Sequence, residues 1–209
     1  MKLSGRIMDN RIKTPYECFW MKFTDYYKYC DNIGWYGATY GFVFAPNKPQ
    51  KYEYPCEHEG CVYIGKSSGN YYDKQAGHKG KGRSHVHKRM THHLKPLMNE
   101  NVSGDTCHKL ITEVYGCGKD VLDGTLTNLP MWLGLILPQP DFPKENKQLM
   151  SRWCLLQEQD QLMEYQLKFR KETLANSDAN TNKDLTSYSS YMMGILEEQD
   201  LSKFMTESA

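Results

Sequence analysis

Two short runs of β-forming residues, close together in the chain, constrain the fold more than any other feature of this sequence. Residues 38–46 (ATYGFVFAP) stop at a Pro-Asn pair, and residues 61–65 (CVYIG) end in a glycine followed by a lysine. Runs of this composition, bounded by turn residues, predict strands. Because only the polar residues 47–60 separate them, we expect an antiparallel hairpin whose long connection carries an embellishment.

Residues 60–67, GCVYIGKS, match the phosphate-binding pattern G-x-x-x-x-G-K-[ST] letter for letter. A phosphate-binding loop of this kind follows a buried strand and opens a helix. Here the preceding residues are polar, residues 61–64 prefer an extended chain, and glycine-rich residues 68–82 follow. We therefore interpret the stretch as a strand that ends in glycine, and not as the loop of an NTPase.

The distribution of charge is more informative than its sum. The chain has 209 residues, is 39% hydrophobic and carries a net charge of +1, which fits one domain with extensions and by itself indicates no nucleic-acid ligand. Residues 74–99, however, are rich in Lys, Arg and His and contain no Asp or Glu. Because binding of phosphate depends on the local field, this segment predicts contact with nucleic acid.

Composition also bears on the compartment. The sequence has neither an apolar run of about 18 residues, as a membrane-spanning helix needs, nor the apolar core of a signal peptide. We expect a soluble cytoplasmic protein, located in the host-cell cytoplasm if the chain is viral. The seven cysteines are an odd number, which favours free thiols in a reducing compartment.

The spacing of apolar residues predicts several helices and one further strand. The helices are predicted over residues 16–36, 83–98, 105–116, 145–171 and 191–205, and the strand over residues 131–137. Pro96 predicts a kink or an end of the second helix. The order β-β-α-α-β-α indicates an α+β domain with a three-stranded antiparallel sheet flanked by helices.

These elements divide the chain into three parts. Residues 1–36 are predicted to be an N-terminal helical extension, residues 37–177 the domain, and residues 178–209 a polar linker with a C-terminal helix.

Four features, in this order, make the chain similar to GIY-YIG endonucleases over residues 37–177. They are a strand bearing Tyr40, a strand reading Y-I-G-K-S from position 63, a basic helix with R-x-x-x-H, and a late helix with a glutamate. The resemblance implies the GIY-YIG nuclease fold and an endonuclease that uses Mg²⁺ or Mn²⁺. It also implies DNA, most simply double-stranded, as the substrate, cut to leave a 5′ phosphate and a 3′ hydroxyl.

The two family motifs fall on the two predicted strands. The first falls on residues 38–40, where only the tyrosine is kept, and the second on residues 63–65, with Lys66 immediately after. By resemblance, Tyr40 or Tyr63 takes a proton from the attacking water. A tyrosine with its free pKa of about 10 is a poor base. We therefore expect Lys66 and a nearby metal ion to lower the pKa and favour the phenolate.

Two Arg/His pairs with the spacing R-x-x-x-H compete on the basic helix. Arg83 and His87 lie on the side of the apolar stripe, and so are expected to point to the sheet and its tyrosines. Arg89 and His93 are expected on the flank of the stripe, where they would grip the DNA backbone. The resemblance implies that the arginine contacts the scissile phosphate. It also implies that the histidine either shares in proton transfer or hydrogen-bonds to the phosphate.

Two glutamates of the last long helix compete as the metal ligand. In the family helix an apolar residue comes directly before the glutamate and another comes three residues after it, as Met163 and Leu167 do around Glu164. Asn176, twelve residues after Glu164, corresponds to the family's closing asparagine. Glu158 has glutamines at the matching positions. Glu164 is therefore the preferred ligand, with Glu158 as the alternative. One carboxylate is enough, because Mg²⁺ is commonly held by one carboxylate plus phosphate and water oxygens.

Some functional questions stay open at this stage. A restriction-like enzyme, a phage or mobile-element nuclease and a repair nuclease all fit the chain, as does a homo-oligomer. The alternative from another class is a nucleic-acid-binding protein that kept the fold and lost the activity.

Cys56, His58 and Cys61 are residue types that bind zinc, but their spacing is unusual and core packing explains Cys61 more simply. We expect the mobile, basic residues 68–82 to close over DNA.

Overall fold

The predicted hairpin belongs to a larger sheet than the sequence indicates. The computed structural model describes residues 18–26, 28, 37–67, 86–99, 101–102, 104, 106–126, 128–138 and 147–176, and the side chain of His87 is not among them. Within these residues, four antiparallel strands form one sheet. The α+β class is confirmed, and the expectation of three strands is wrong.

The described elements follow one another along the chain as strands β1 to β4 and helices α1 to α4. They are β1 (Cys18–Lys22), β2 (Ala38–Phe44), β3 (Cys61–Ser67), α1 (Val86–Met98), α2 (Thr106–Tyr115), α3 (Lys119–Leu122), β4 (Met131–Ile136) and α4 (Lys147–Phe169), with 3₁₀ turns at Phe23–Asp25 and Pro55–Glu57. The strand order across the sheet is β1-β4-β2-β3. Among the described helices, none is long and apolar enough to cross a membrane.

Strand β1 contradicts the predicted helix over residues 16–36. Its side chains alternate between the interior and solvent, with Cys18 and Trp20 buried and Phe19 exposed, which is the period of a strand. Trp20 pairs with Gly134 of β4 and covers it, because a Cβ on Gly134 would lie 2.7 Å from the Trp20 ring. The aromatic residues of this strand lack a helical period and so indicate a strand. Residues 18–22 therefore belong to the sheet and not to a helical extension.

The two faces of the sheet are covered by different helices. One face, with Tyr40, Phe42 and Leu133, packs against the apolar stripe of α1 and against α2. The other face, with Ile64 and Ile136, packs against α4. The tyrosine face and the α4 face are the names used below for these two sides. The sheet thus forms the middle layer of three.

The strand and helix predictions between residues 37 and 176 agree with the structure to within a few residues at each end. Helix α1 continues past Pro96 and ends two residues later, at Met98. The carbonyl of Leu97 accepts hydrogen bonds from the Gly118 N–H and the Cys117 thiol, so the end of the helix is satisfied. The predictions for residues 68–82, Arg83 and residues 177–209 lie outside the described residues.

The long connection between β2 and β3 packs back onto the α4 face. The backbone carbonyls of Lys51 and Glu53 accept hydrogen bonds from the Cys18 N–H and the Trp20 indole. Glu57 closes the 3₁₀ turn by accepting a hydrogen bond from the Tyr54 N–H. The predicted embellishment is therefore an ordered cover that connects the hairpin to β1.

Asn176 closes the outer edge of β3. Its amide donates to the Ile64 carbonyl at 2.6 Å and accepts from the Ile64 N–H at 2.9 Å, as a paired strand would. The Ala175 N–H donates to the Val62 carbonyl one position along the same edge. Thr173 donates its hydroxyl to the same Asn176 oxygen. These bonds occupy an edge that would otherwise present unpaired backbone groups.

Replacing Asn176 with alanine should lower the free energy of unfolding by about 2 kcal/mol, because two hydrogen bonds to buried backbone groups are lost together. Urea denaturation of the purified chain measures this change. Asn101→Ala is the matched control, since Asn101 is exposed and such substitutions change stability by less than about 0.5 kcal/mol. Equal stabilities of the two variants would contradict an edge-closing role for Asn176.

Candidate functional site

The register of the hairpin brings the two candidate tyrosines together. Tyr40 pairs with Gly65, and Phe42 pairs with Tyr63. Side chains two positions apart on a strand share a face, so both tyrosines lie on the tyrosine face, with ring centroids 6.1 Å apart. The Tyr63 ring lies over Gly65, where a Cβ would be 2.8 Å from the hydroxyl. The glycine of the Y-I-G sequence therefore makes room for the tyrosine.

Tyr40 is the first member of a buried polar chain. Its hydroxyl lies 2.8 Å from Nε2 of His93 on α1, and Nδ1 of His93 lies 2.9 Å from Nε2 of His108 on α2. His93 is only 1% exposed and His108 5%. Helices α1 and α2 are thus connected to β2 by three side chains that hydrogen-bond in series.

Arg89 acts on the same tyrosine. Its side chain opposes the effect of burial on the Tyr40 pKa, chiefly through its charge. Arg89 and His93 are four residues apart on α1, so they lie one turn apart on the same side of the helix. The sequence R-x-x-x-H thereby places a cation and an imidazole at one tyrosine.

This geometry corrects the prediction for the arginine and the histidine. Arg89 and His93 were expected on the flank of α1, in contact with DNA, but His93 is buried against the sheet. It comes seven residues after Val86 and, at about 100° per residue, returns to within about 20° of it around the helix. His93 is therefore part of the buried stripe. Arg83 and the side chain of His87 lie outside the described residues.

The structure brings Glu158, and not the preferred Glu164, near the tyrosines. The charge of Glu158 raises the pKa of both Tyr40 and Tyr63, whereas Glu164 acts on Cys56. The two glutamates are six residues apart, and so about 120° apart around α4. Glu158 lies on the buried stripe of α4, is 6% exposed and follows Cys154 by one turn.

Lys66 approaches the site from the opposite face of the sheet. It follows Gly65 directly, so its side chain projects to the α4 face, where its charge and that of Glu158 both act on the Cys154 thiol. The Lys66 amine forms no ion pair with a described residue, and its side chain is half-buried. Lysine and glutamate thus lie close together on the α4 face, near the edge of the sheet.

The pKa values of both tyrosines are raised, and the expectation of a lowered pKa does not hold for the protein alone. Burial raises the pKa of Tyr40 to about 12, with the charge and hydrogen bond of Arg89 in partial opposition. Burial also raises the pKa of Tyr63, to which the neighbouring Tyr40 and the charge of Glu158 add. Both hydroxyls are therefore neutral at physiological pH. The cation that acts on them is Arg89, whereas the charge of Lys66 acts on Cys154.

Exposure distinguishes the two tyrosines. Tyr40 is completely buried, and Tyr63 is half-buried. The Tyr63 hydroxyl makes no hydrogen bond to any described residue, while the Tyr40 hydroxyl is hydrogen-bonded to His93. A bound molecule can therefore reach Tyr63 more directly than Tyr40.

Asn176 is part of the site only through the strand that it holds. Its amide binds the backbone of Ile64, which lies between Tyr63 and Gly65. Both functional groups of that amide are used by the backbone and by Thr173. The predicted site residue Asn176 is therefore placed to fix the position of Tyr63.

The donor groups fit a single-carboxylate magnesium site. Glu158 supplies a buried carboxylate oxygen on α4, and oxygen is the ligand atom that Mg²⁺ prefers. Among the described residues no three His, Cys, Asp or Glu side chains are arranged to hold a metal ion by themselves. An ion at Glu158 would therefore complete its coordination with phosphate and water oxygens.

The cysteines of the suggested zinc cluster lie in the core. Cys56 and Cys61 are buried in the cluster of side chains between the sheet and α4, and burial raises the pKa of both thiols. Zinc binds the thiolate, which this environment disfavours. Their position supports the packing interpretation.

No family model matches the chain, and no curated protein or solved structure is similar enough to it to count as a match. The resemblance to GIY-YIG endonucleases is therefore carried by the residues themselves.

Sequence reasoning did not single out His108 as part of the tyrosine site. The usable signal was its place on α2, where it and Ile111 are three residues apart on one buried side. A histidine on a buried stripe needs a polar partner, and His93 is that partner.

Gly65→Ala should displace the Tyr63 ring, because the new Cβ would lie 2.7 Å from its Cε1 atom. The ring carbon resonances of Tyr63 measured by NMR report the change. Gly134→Ala on β4 is the matched control, since its Cβ would collide with the Trp20 ring and lower stability without contacting Tyr63. Unchanged Tyr63 resonances in Gly65→Ala would contradict the described packing.

Tyr40 should make the protein less stable at alkaline pH. Between about pH 10, where an unfolded tyrosine ionises, and about pH 12, where the buried Tyr40 does, the unfolded state binds fewer protons than the folded state. Stability therefore falls as pH rises, by about 1 kcal/mol between pH 9 and pH 11 from this residue. Tyr40→Phe should show a correspondingly flatter profile in urea denaturation. Parallel profiles for the two proteins would contradict the raised pKa.

Proposed function

We propose that the protein is a metal-dependent endonuclease that hydrolyses phosphodiester bonds in DNA. The observation that carries the proposal is the cluster of Tyr40, Tyr63 and His93 on one face of the sheet, together with the charges of Arg89 and Glu158 that act on both tyrosines. Each residue alone has an ordinary structural explanation, but five groups suited to phosphate chemistry, in the order of the GIY-YIG motifs, support a common function.

We assign a role in the reaction to each of these residues from its exposure and charge. Arg89 binds a non-bridging oxygen of the scissile phosphate through its fork of donors. Tyr63, the more exposed tyrosine, takes the proton from the attacking water as the phenolate, after its own proton has been lost to solvent, a loss that a bound divalent ion would favour. Lys66 adds positive charge from the α4 face, which favours the binding of phosphate.

Glu158 would hold the divalent ion. Such an ion, when bound, neutralises charge on the phosphoryl oxygens and favours ionisation of nearby hydroxyls. Glu158 is suited to this part because it is buried, acts on both tyrosines and lies near Lys66 through their shared neighbour Cys154. Glu164 lies on another side of α4, and we propose no metal-binding role for it.

The outer side of α1 supplies the contact surface for the DNA backbone. His92 and Lys95 are exposed there, and Lys88 is half-exposed. These side chains lie on the helix that carries Arg89, so a DNA strand whose phosphates contact them would extend towards the site. Backbone contacts of this kind position a duplex without reading its sequence.

A second candidate function is DNA binding without cleavage. The complete burial of Tyr40 and the raised pKa of both tyrosines favour it, because a neutral, covered tyrosine is a poor base. In this case Arg89 and the outer side of α1 would bind phosphate, and the tyrosines would only support the arginine.

Incubation of the purified chain with supercoiled plasmid, in Mg²⁺ or in EDTA, tests the proposal. We expect metal-dependent nicking or linearisation that falls at least about 100-fold in Tyr63→Phe and Glu158→Gln, because each loses a group acting in the transition state. Glu164→Gln, on the same helix, is the matched control and should cut like the wild type.

Other outcomes identify the alternative. Intact plasmid together with salt-sensitive gel shifts that neither substitution changes would show a binding protein and overturn the nuclease proposal. Loss of cleavage in Glu164→Gln and retention in Glu158→Gln would instead overturn the assignment of the carboxylate.

A further inference from the structure

An open pocket lies where three segments that are distant in the sequence meet. These segments are the 3₁₀ turn after β1, the last turn of α1 and the start of α3. The pocket has a volume of about 270 Å³ and is lined by Thr24, Leu94, Lys95, Met98 and Lys119. Apart from Lys95, none of these residues belongs to the tyrosine site or to the outer side of α1 described above.

Hydrogen bonds between the three segments fix the walls of this pocket. The Leu97 carbonyl, at the end of α1, accepts from the N–H of Gly118 at 2.8 Å, directly before α3. After α3, the carboxylate of Asp123 accepts the Thr24 hydroxyl at 2.5 Å. The pocket is therefore built by the fold, and its position relative to α1 is set by the backbone.

Positive charge predominates around the pocket. Lys95 and Lys119 line it, and the Lys22 ammonium donates to the Asp123 carbonyl at 3.4 Å beside it. Asp123 is the carboxylate in contact with this group, at 3.3 Å from the Lys119 ammonium. Three lysines thus surround one carboxylate, and the excess of positive charge favours an anion.

The other carboxylates of these segments do not line the pocket. Asp25 follows Thr24 but is paired with the Lys28 ammonium at 2.7 Å. Asp120 is exposed and follows Lys119 by one residue, so it lies about 100° away from it around α3. Neither carboxylate cancels the charge of the lining lysines.

Lys119 can turn from its partner to a ligand. Its side chain is 68% exposed, and its ammonium is paired with Asp123 four residues later. Exposed pairs at this spacing contribute little to stability, so an anion can replace the carboxylate. Asp123 keeps its hydrogen bond from Thr24 when this happens.

The pocket continues the basic side of α1. Lys88, His92 and Lys95 follow one another at intervals of four and three residues, and so lie on one side of the helix. Between Lys88 and Lys95 the helix rises about 10 Å. Each strand of a DNA duplex carries one phosphate per about 3.4 Å of its axis. A strand that follows this side of α1 therefore passes several phosphates along the helix and reaches Lys119 beyond its end.

We propose that this pocket binds one backbone phosphate of DNA, beyond the phosphates that contact the outer side of α1. The ammonium groups of Lys95 and Lys119 donate to its non-bridging oxygens. The apolar side chains of Leu94 and Met98 contact carbon atoms of the adjoining deoxyribose. The inference rests on the proposed function for DNA as the ligand, but it does not require cleavage. Such a contact positions the duplex without reading its sequence.

Fluorescence anisotropy of a short labelled DNA duplex, with EDTA present to prevent cleavage, measures the contribution of Lys119. Lys119→Gln should weaken binding about fivefold at about 0.1 M salt, and should reduce the slope of log K against log salt by about 0.9, because one phosphate fewer is neutralised. Lys171→Gln is the matched control and should bind like the wild type. Lys171 is also an exposed lysine paired with a carboxylate, that of Glu59 at 3.0 Å, but it follows α4.

Asp123→Asn changes the charge in the opposite direction. The amide oxygen can still accept the Thr24 hydroxyl, while the negative charge beside Lys119 is removed. Binding of the same duplex should therefore strengthen about threefold, as expected for the loss of one repulsive charge several ångströms from a phosphate in water.

The methyl group of Met98 reports directly on occupation of the pocket. In the full chain labelled with ¹³C at the methionine methyls, its resonance, assigned with Met98→Leu, should shift when the duplex is added. The resonance of Met150, which is buried on the α4 face, should stay in place.

Three outcomes would each overturn the inference. They are equal affinities and salt slopes for Lys119→Gln and Lys171→Gln, a Met98 resonance that does not move at saturating duplex, and weaker binding by Asp123→Asn. Metal-dependent cleavage that accompanies any of them leaves the proposed function intact. A shifted Met98 resonance and a reduced slope in a protein that never cleaves DNA defeat the nuclease proposal and support the phosphate pocket. A chain that binds no duplex contradicts both.

Discussion

The pairing of Tyr40 with Gly65 across β2 and β3 is the contact on which the rest of the site depends. Because Gly65 has no side chain, the Tyr63 ring lies along its own strand and beside Tyr40. A shift of one residue in this register would turn the side chains of β3 to the opposite face. Asn176 opposes such a shift from the outer edge, since it binds both backbone groups of Ile64. A contact that looks like packing therefore determines how the two tyrosines are placed.

The interior next to this pairing contains several buried polar groups. Tyr40, His93 and His108 hydrogen-bond in series, and Glu158 is buried on α4. Each such group costs free energy to bury unless it is bonded, and a buried network restricts the core to one arrangement. The stability given up here is consistent with a site whose groups must hold fixed directions.

The sequence predicted the parts of the fold that depend on local periodicity, namely the hairpin, α1, α2, β4 and α4. It failed at residues 18–22, because pairing with β4 is a tertiary contact and aromatic residues suit several structures. In the site, the motif identified Tyr40 and Tyr63. The choice of Glu158 over Glu164 depends on which side of α4 meets the sheet, and the part of His108 depends on how α2 packs on α1. Local spacing places His108 on the buried side of α2, but it does not encode how either helix packs on its neighbours.

The place of β1 at the far side of β4 has a kinetic consequence. Cys18 pairs with Ile136 and Lys22 with Trp132, so the sheet closes across most of the described chain. Contacts of such sequence separation slow folding, because a long loop must be ordered before they form. During synthesis β1 leaves the ribosome well before its partner strand exists. Until then Trp20 has no Gly134 to cover, and an unpaired, aromatic strand is open to association with other chains.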